Sequence, residues 1–491
     1  MKKNPPHLFL SLLFLLFFCE LCGMSRASGN HDFHPGVDNS VKTSQVSIRQ
    51  LSPSPKINER VVTIESDYDL NGKDLVLEKD FTLKFRQGSL TNGRIIGNNT
   101  SIINTTDRPI FDRISFSGTW NVNYITTDYF KDLNYEQSLN DVLALANDDV
   151  KNRILIKDYG FDYVVVATTF DNYKGTLHLP SNTDLQLEAT IRLKPTNLFQ
   201  YRIIMLYNCH DVIIHGTGSV MGDKDKHDYS IDDAHIAWKS HQWGHGIKLA
   251  GCNNIKISGI EVSNCTGDSF SISDGSTNVE LNSVTAKDSR RQGITIAVAS
   301  DIQISNSKFV SIGRENGTPP WSAIDIEPDD TDCEIRNITI TDCDIINCPN
   351  GIISWSRGYG TEYEDVVDGI KVQKREGRRY VNIKVKDCRF EKISNAFALV
   401  GWDDVCIENC TVDNADYFMR APLKNMTIRN NDGICNHFTE GIVASNAVVK
   451  NNRVRLKEEK KYELDNSVLS NNDFSTNRNK SFISRFLNLF K

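Results

Sequence analysis

Proline is scarce in this chain, 13 in 491 residues, and no apolar run reaches membrane-spanning length. The most apolar stretch, Leu8 to Phe18, is about half of the ~20 residues that a spanning helix needs. Beyond residue 27 no C-x-x-C pair occurs, so the usual paired spacing of a cysteine metal site is absent. A surplus of positive charge is missing too: 56 Lys and Arg stand against 63 Asp and Glu, for a net charge of −7. That excludes nucleic acid as a general partner, because holding a polyanion rests on cations that neutralise phosphates. What the chain does have is 30 glycines and many short stretches of alternating apolar residues. This is the make-up of one long all-β body rather than several compact domains.

The first 27 residues read as an export signal. Lys2 and Lys3 precede the apolar run, and Ser25-Arg26-Ala27 offers small residues before a cut near Ser28. Removing that segment, with three positive side chains and one negative, leaves −9. Cys19 and Cys22 keep a lipid anchor open as the one membrane attachment, although neither follows a good lipobox. The expected location is the periplasm, the cell surface or the medium. Residues 28–58, polar and without periodicity, read as a flexible tether. Strands are expected over 59–455, starting with Leu75, Leu77, Phe81, Leu83 and Phe85 at alternate positions. Between 133 and 147 the period changes: Tyr135, Leu139, Val142, Leu143 and Ala146 predict an amphipathic helix that caps the open edge of the stack. Residues 456–491 form a tail, where Phe482, Ile483, Phe486, Leu487 and Phe490 predict a second, C-terminal capping helix.

A repeat emerges when the chain is aligned on its turns. One polar column reads Ser258, Asn282, Asn306, Asp342, Asp387, Asn409, Asn430 and Asn451, spaced by 24, 24, 36, 45, 22, 21 and 21 residues. A unit near 22 residues with three short strands is one coil of a solenoid, and side-chain amides at a recurring bend predict a hydrogen-bonded ladder. The next column carries Cys343, Cys388 and Cys410, which three stacked coils would pack as free interior thiols. The longer units place inserts at Gly313–Trp321 and Trp355–Tyr380. The second carries Lys371, Lys374, Arg375, Arg378 and Arg379, either a solvated loop or a patch that attracts an anionic chain.

The chemistry concentrates between Gly244 and Glu327, in G-H-G-I-K-L (244–249), G-D-S-F-S-I-S (267–273), R-R-Q-G-I-T-I (290–296) and W-S-A-I-D-I-E-P-D (321–329). Stacked as coils with Ile and Leu inward, these strands point Lys248, Ser271, Thr295 and Asp325 outward, with Glu327 on the same face two residues on. His245, Asp268 and Gln292 precede their strands as a neighbouring column, and Arg290 and Arg291 sit one turn earlier. The result is an elongated groove suited to a linear polymer. Asp325 with Glu327, or Asp268 with either, supplies the paired carboxylates that glycoside hydrolysis uses. A nearby arginine would keep one ionised while a drier neighbour stays protonated. Each residue also has a plainer reading: Asp268 as a turn residue, Glu327 as the end of a strand before Pro328, His245 as a turn histidine. Trp243, Trp321, Trp355 and Trp402 flank the same stack, either as core or as stacking platforms for sugar rings.

These segments, together with G-T-G-S-V-M-G-D-K-D-K-H (216–227), resemble exported bacterial and phage proteins of the pectate lyase/polygalacturonase superfamily over about residues 60–455. The resemblance implies a right-handed parallel β-helix acting on a polysaccharide, with Asp223 and His227 among the substrate-binding residues. In polygalacturonases the carboxylate motifs come before G-H-G and an R-I-K follows. Here G-H-G precedes G-D, and R-R-Q-G occupies an intervening coil, which speaks against polygalacturonase activity itself. Three functions stay open: a glycoside hydrolase using Asp268, Asp325 and Glu327 without a cofactor; a lyase using Arg290, Arg291 or Lys248 as base, with calcium held by the acids; and a glycan-binding solenoid without catalysis.

Overall fold

The computed structural model describes residues 45–51, 54–167, 175–230, 241–327, 334–355, 362–367, 370–375, 379–421, 423–439, 443–456, 463–465 and 468–474. The export signal, the first part of the tether, Arg378 and the expected C-terminal helix lie outside them.

Alternate residues of a strand face opposite ways, so short apolar alternations bury one side of a coil only when coils stack. Each coil supplies three strands. First-column strands run from Tyr124–Thr126 to Val468–Ser470 as a thirteen-stranded parallel sheet. Short second-column strands follow, and then a third column: Gln200–Tyr207, Trp243–Ala250, Asp268–Ser273, Gln292–Ala297, Ser322–Glu327 and Asn350–Trp355, paired in parallel. Inside, Ile204, Ile247, Phe270, Ile294, Ile324 and Ile352 stack in register and are buried. Each such side chain contributes roughly 1.5–3 kcal/mol, and β-branched residues suit the flat walls of a parallel sheet.

The corner after each first-column strand explains the polar column. Asn306, Asp342, Asp387, Asn409, Asn430 and Asn451 all adopt left-handed backbone conformations, φ between +51° and +57°, which Asn and Asp tolerate better than other non-glycine residues. Their side chains ladder: Asn409 Nδ2 donates to Asp387 Oδ1 at 3.0 Å, and Asn451 Nδ2 to Asn430 Oδ1 at 3.3 Å. At the first two coils the expected column is one residue early. Register pairs Ser258 with Asn282 and Asn282 with Ser305, so the corners there are Gly259 (φ +75°) and Ser283 (φ +56°). Side-chain likeness pointed to Asn282, whereas backbone geometry sets the corner. Asn282 still joins the ladder by accepting from Asn306 Nδ2 at 3.1 Å.

Cys343, Cys388 and Cys410 are free and buried as expected. The next coils put Asn431, Asn452 and Asn472 in that interior position, each bonded to the next at 2.9 Å.

The helix expected over 133–147 is reduced to Ser138–Leu143. It begins late because Gln137 takes a left-handed conformation, and Tyr135 stays exposed while Leu139, Val142 and Leu143 are buried. It does not cap an end. A separate seven-stranded sheet spans Gln45 to Trp120 before it, and the helix packs between Phe111–Trp120 and the strands Tyr163–Val165 and Leu177–His178. The stretch read as a tether already contains the strand Gln45–Ser47, with Ile48 and Leu51 buried behind it.

Candidate active site

Register confirms the geometry of the third column. Lys248, Ser271, Thr295 and Asp325 are successive partners, as are Ala297 and Glu327. Inward Ile and Phe side chains on either side force these residues outward. Asp268 pairs with Gln292, and Gln292 with Ser322, at the strand heads. The expectation of an open groove needs correction, however. Asp268 is 0% exposed and Asp325 2%, and Glu327 alone of the three carboxylates presents much surface, its side chain 36% exposed.

Burying charge is costly unless it is paired, and the pairing here runs through Arg291. Its Nη1 lies 3.5 Å from Asp268 Oδ2, and its Nη2 donates to Glu327 Oε2 at 2.8 Å. His245 Nδ1 sits 3.2 Å from Asp268 Oδ2, out of line for a full hydrogen bond. Thr295 Oγ1 lies 2.8 Å from Asp268 Oδ2 and also contacts the Gln292 carboxamide oxygen, whose Nε2 donates to Asp325 Oδ2 at 2.5 Å. Asp268 Oδ1 is buried with no hydrogen-bond partner among the described residues.

The electrostatics separate the two buried acids. Burial alone would raise the pKa of Asp268, but the Arg291 charge, then His245 and Thr295, outweigh it and hold the carboxyl below its ordinary value. For Asp325, burial and then the adjacent Glu327 carboxylate push the pKa well up, against an opposing pull from Arg291. His245 is driven down to about 4, chiefly by burial, and is neutral at neutral pH despite the attraction of Asp268. Burial works against the charge of Arg291, yet Asp268, Glu327 and Asp325 together hold its proton more tightly than usual.

The other expected site residues separate from this cluster. Arg290 turns away from its neighbour: its guanidinium lies 4.7 Å above the Tyr229 ring, with Nε donating to the Asn316 carbonyl at 2.7 Å and Nη1 to that of His241 at 3.3 Å. Asp223 and His227, expected to bind substrate, are buried in a brace. Asp223 Oδ2 accepts from the Thr196 backbone at 2.9 Å and lies 2.8 Å from His227 Nδ1, while His227 Nε2 lies 2.9 Å from His241 Nδ1. They tie the segment before Trp243 to the preceding coil instead of facing a ligand. Gln292 is likewise internal to the acid network. Lys248 and Trp243 are half-buried beside it, and Trp321 is 38% exposed at the head of its strand. Gly313 makes room for Trp321: a Cβ there would come within 2.6 Å of the Trp321 backbone. Trp402 is core, and the side chain of Trp355 lies outside the described residues. Glu362–Val367 and Ile370–Arg375 pair as antiparallel strands, with Lys371, Lys374 and Arg375 on the second.

Sequence reasoning used Thr295 only to set the register and missed the brace partners His241 and Tyr229. Thr295 was legible from its column, between Ser271 and Asp325. His241 and Tyr229 lie in a non-repeating segment that gives no periodic signal.

Fold and register together define a parallel β-helix protein. Residues 203–365 match the family described as a right handed beta helix region, a span that includes every residue of the acid cluster. Two curated proteins of Bacillus subtilis (strain 168) are similar. One is the SPbeta prophage-derived uncharacterized protein YorA, 36% identical over 98 residues, covering 20% of this chain and 16% of the relative. The other is the uncharacterized protein YclG, 26% identical over 198 residues, covering 37% and 33%. The matched parts are thus a third or less of each relative's length. Among solved structures, an exopolygalacturonase from Thermotoga maritima is similar at 12% identity and a TM-score of 0.49, covering 70% of this chain and 89% of that one. An alginate lyase from Paenibacillus sp. str. FPU-7 follows at 12% and 0.37, covering 72% and 97%. PfbA, a surface adhesin of Streptococcus pneumoniae, follows at 16% and 0.38, covering 70% and 82%. At TM-scores below 0.5 none of the three bears on the chemistry of this chain.

Proposed function

We propose that this chain is an exported glycoside hydrolase acting on a linear polysaccharide laid along the third column of strands. Asp325 is the proton donor, and Asp268 is the carboxylate that activates water. One observation carries the reading: Arg291 reaches Asp268 and Glu327, while Asp325, beside Glu327, has the Gln292 amide. One acid is thereby held ionised and its neighbour protonated, the division that cleaving a glycosidic bond requires. In the reaction Asp325 gives its proton to the leaving oxygen as the bond to the anomeric carbon breaks. Asp268 takes a proton from the water whose oxygen bonds to that carbon. Glu327, the exposed member, meets the sugar first. The lysines and arginine of the Ile370–Arg375 strand support an acidic stretch in the polymer.

The lyase reading needs a side chain near the acids that gives up a proton easily; Arg291 is held against doing so, and Arg290, whose charge burial disfavours, is turned onto Tyr229 away from them. A protonated Asp325 beside an arginine-bridged pair also fits poorly with a calcium cage, which takes six to eight oxygen ligands. The deciding experiment offers purified protein a panel of plant, algal and host glycans. New reducing ends without ultraviolet absorbance are expected. An absorbing double bond in the product would establish the lyase, and neither signal with retained binding would establish a non-catalytic solenoid.

A further inference from the structure

Away from the acid cluster, a cleft of about 750 Å³ opens at the turn between the strands Asn152–Ile156 and Tyr163–Val165. The cluster, by contrast, lies along the outer face of the third-column strands Asp268–Ser273, Gln292–Ala297 and Ser322–Glu327. The volume falls within the ~300–1,000 Å³ of ordinary small-ligand sites. Among the described residues four tyrosines are exposed, and two of them, Tyr124 (42%) and Tyr159 (46%), line this one cleft.

Tyr159 is fixed from two directions. Its ring stacks on Phe161 at 6.2 Å between centroids and 25° between planes, and its hydroxyl donates to Asp128 Oδ1 at 2.6 Å. A ring locked in place with a face toward solvent is a pre-organised platform for the apolar face of a pyranose. Every cation lining the cleft already has an acid: Arg108 meets Asp67 at 2.7 Å, Lys131 meets Asp112 at 3.3 Å, and Lys157 meets Asp128 at 2.6 Å. Asp107 and Asp132 add negative charge to the lining, so the cleft disfavours a polyanion. Asn104 and Thr106 complete it with neutral polar groups suited to sugar hydroxyls.

We propose that this cleft is a second carbohydrate site, which binds a short neutral oligosaccharide on Tyr159 and Tyr124. The proposal is independent of the reaction assigned to the acid cluster. The test is ligand-observed NMR on the full chain with gluco-, xylo-, manno- and galacto-oligosaccharides, against an oligogalacturonate as the anionic probe. At least one neutral probe is expected to bind. Tyr159→Ala and Tyr124→Ala should each weaken it by roughly tenfold or more, as expected for loss of an aromatic face, with unchanged circular dichroism. Asp325→Asn should leave it intact. Binding of no neutral probe, binding insensitive to both tyrosine variants, or equal binding of oligogalacturonate at the same tyrosines would overturn the proposal. So would binding that appears only after residues 28–44 are deleted, since the cleft would then hold the chain's own segment.

Discussion

Two columns of polar residues climb this solenoid. At the corner after the first-column strands, like sits on like: Asn on Asp, Asn on Asn, each in the same left-handed conformation, with amide bonds along the axis joining Asn306 to Asn282, Asn409 to Asp387 and Asn451 to Asn430. At the heads of the third-column strands the residue changes with nearly every coil, from Arg202 and His245 to Asp268, Gln292 and Ser322. Higher up, that second column reverts to repetition, with Asn395 Nδ2 donating to Asn350 Oδ1 at 2.6 Å. Repetition marks scaffold, because identical groups on identical backbones satisfy one another. Departure from repetition marks the place where charge is buried and must be balanced individually.

The sharpest way to break the contrast is Asp268→Asn. It leaves the largely buried Arg291 without its deepest partner, and should cost about 3–5 kcal/mol of stability at pH 7 along with activity, measured by denaturant unfolding. Because the Asp268 pKa is depressed in the folded protein, the stability it supplies is present above its unfolded value and lost as pH falls through the folded one. The difference from wild type should therefore shrink in acid. Asp325→Asn should behave oppositely. Turnover falls at least about a hundredfold, worth ~2.7 kcal/mol of barrier, while folding is preserved. The Asp325 pKa is raised, so its contribution is full below the unfolded value near ~3.9 and declines as pH rises. Melting of the variant should match wild type near pH 4 and exceed it at pH 8.

A smaller effect sharpens the pairing of acids. Glu327→Gln removes the charge that helps Asp325 keep its proton, so the alkaline limb of the kcat/KM profile should move to lower pH; an unmoved limb would detach Glu327 from the reaction. The mildest change belongs to the repeating column. Asn409→Ala loses the bond to Asp387 and places a Cβ residue at φ +54° without amide compensation. The expected cost is about 1–2 kcal/mol with full activity, and Asn409→Gly should recover part of it.

The repeating column was the more legible of the two. From Asn306 onward the bends are written in Asn and Asp, and only Gly259 and Ser283, which reach the same φ by other means, disguised the corner. Inward and outward faces of the third column also followed from alternation, which places Asp325 beside Thr295. Burial did not follow. Alternation says which way a side chain points relative to its own sheet, and is silent about what other segments lay over that face. Hence Asp268 and Asp325 were expected in an open groove. Arg290 and Arg291, adjacent in sequence and alike in chemistry, gave no sign that one enters the acid cluster and the other stacks on Tyr229.

The left-handed corner has a further consequence for how such a chain can change. Coil spacing is set by the parallel backbone pairing of the sheets, helped by the ladder at that corner and the stacked interior, none of which involves the segments entering the third-column strands. Those segments differ in length: residues 264–267 and 288–291 make tight entries, whereas 311–321 is a long excursion. The frame and the instrument mounted on it are thus separately editable. A new excursion at one of these entries alters what the strand heads meet without moving any coil relative to the next.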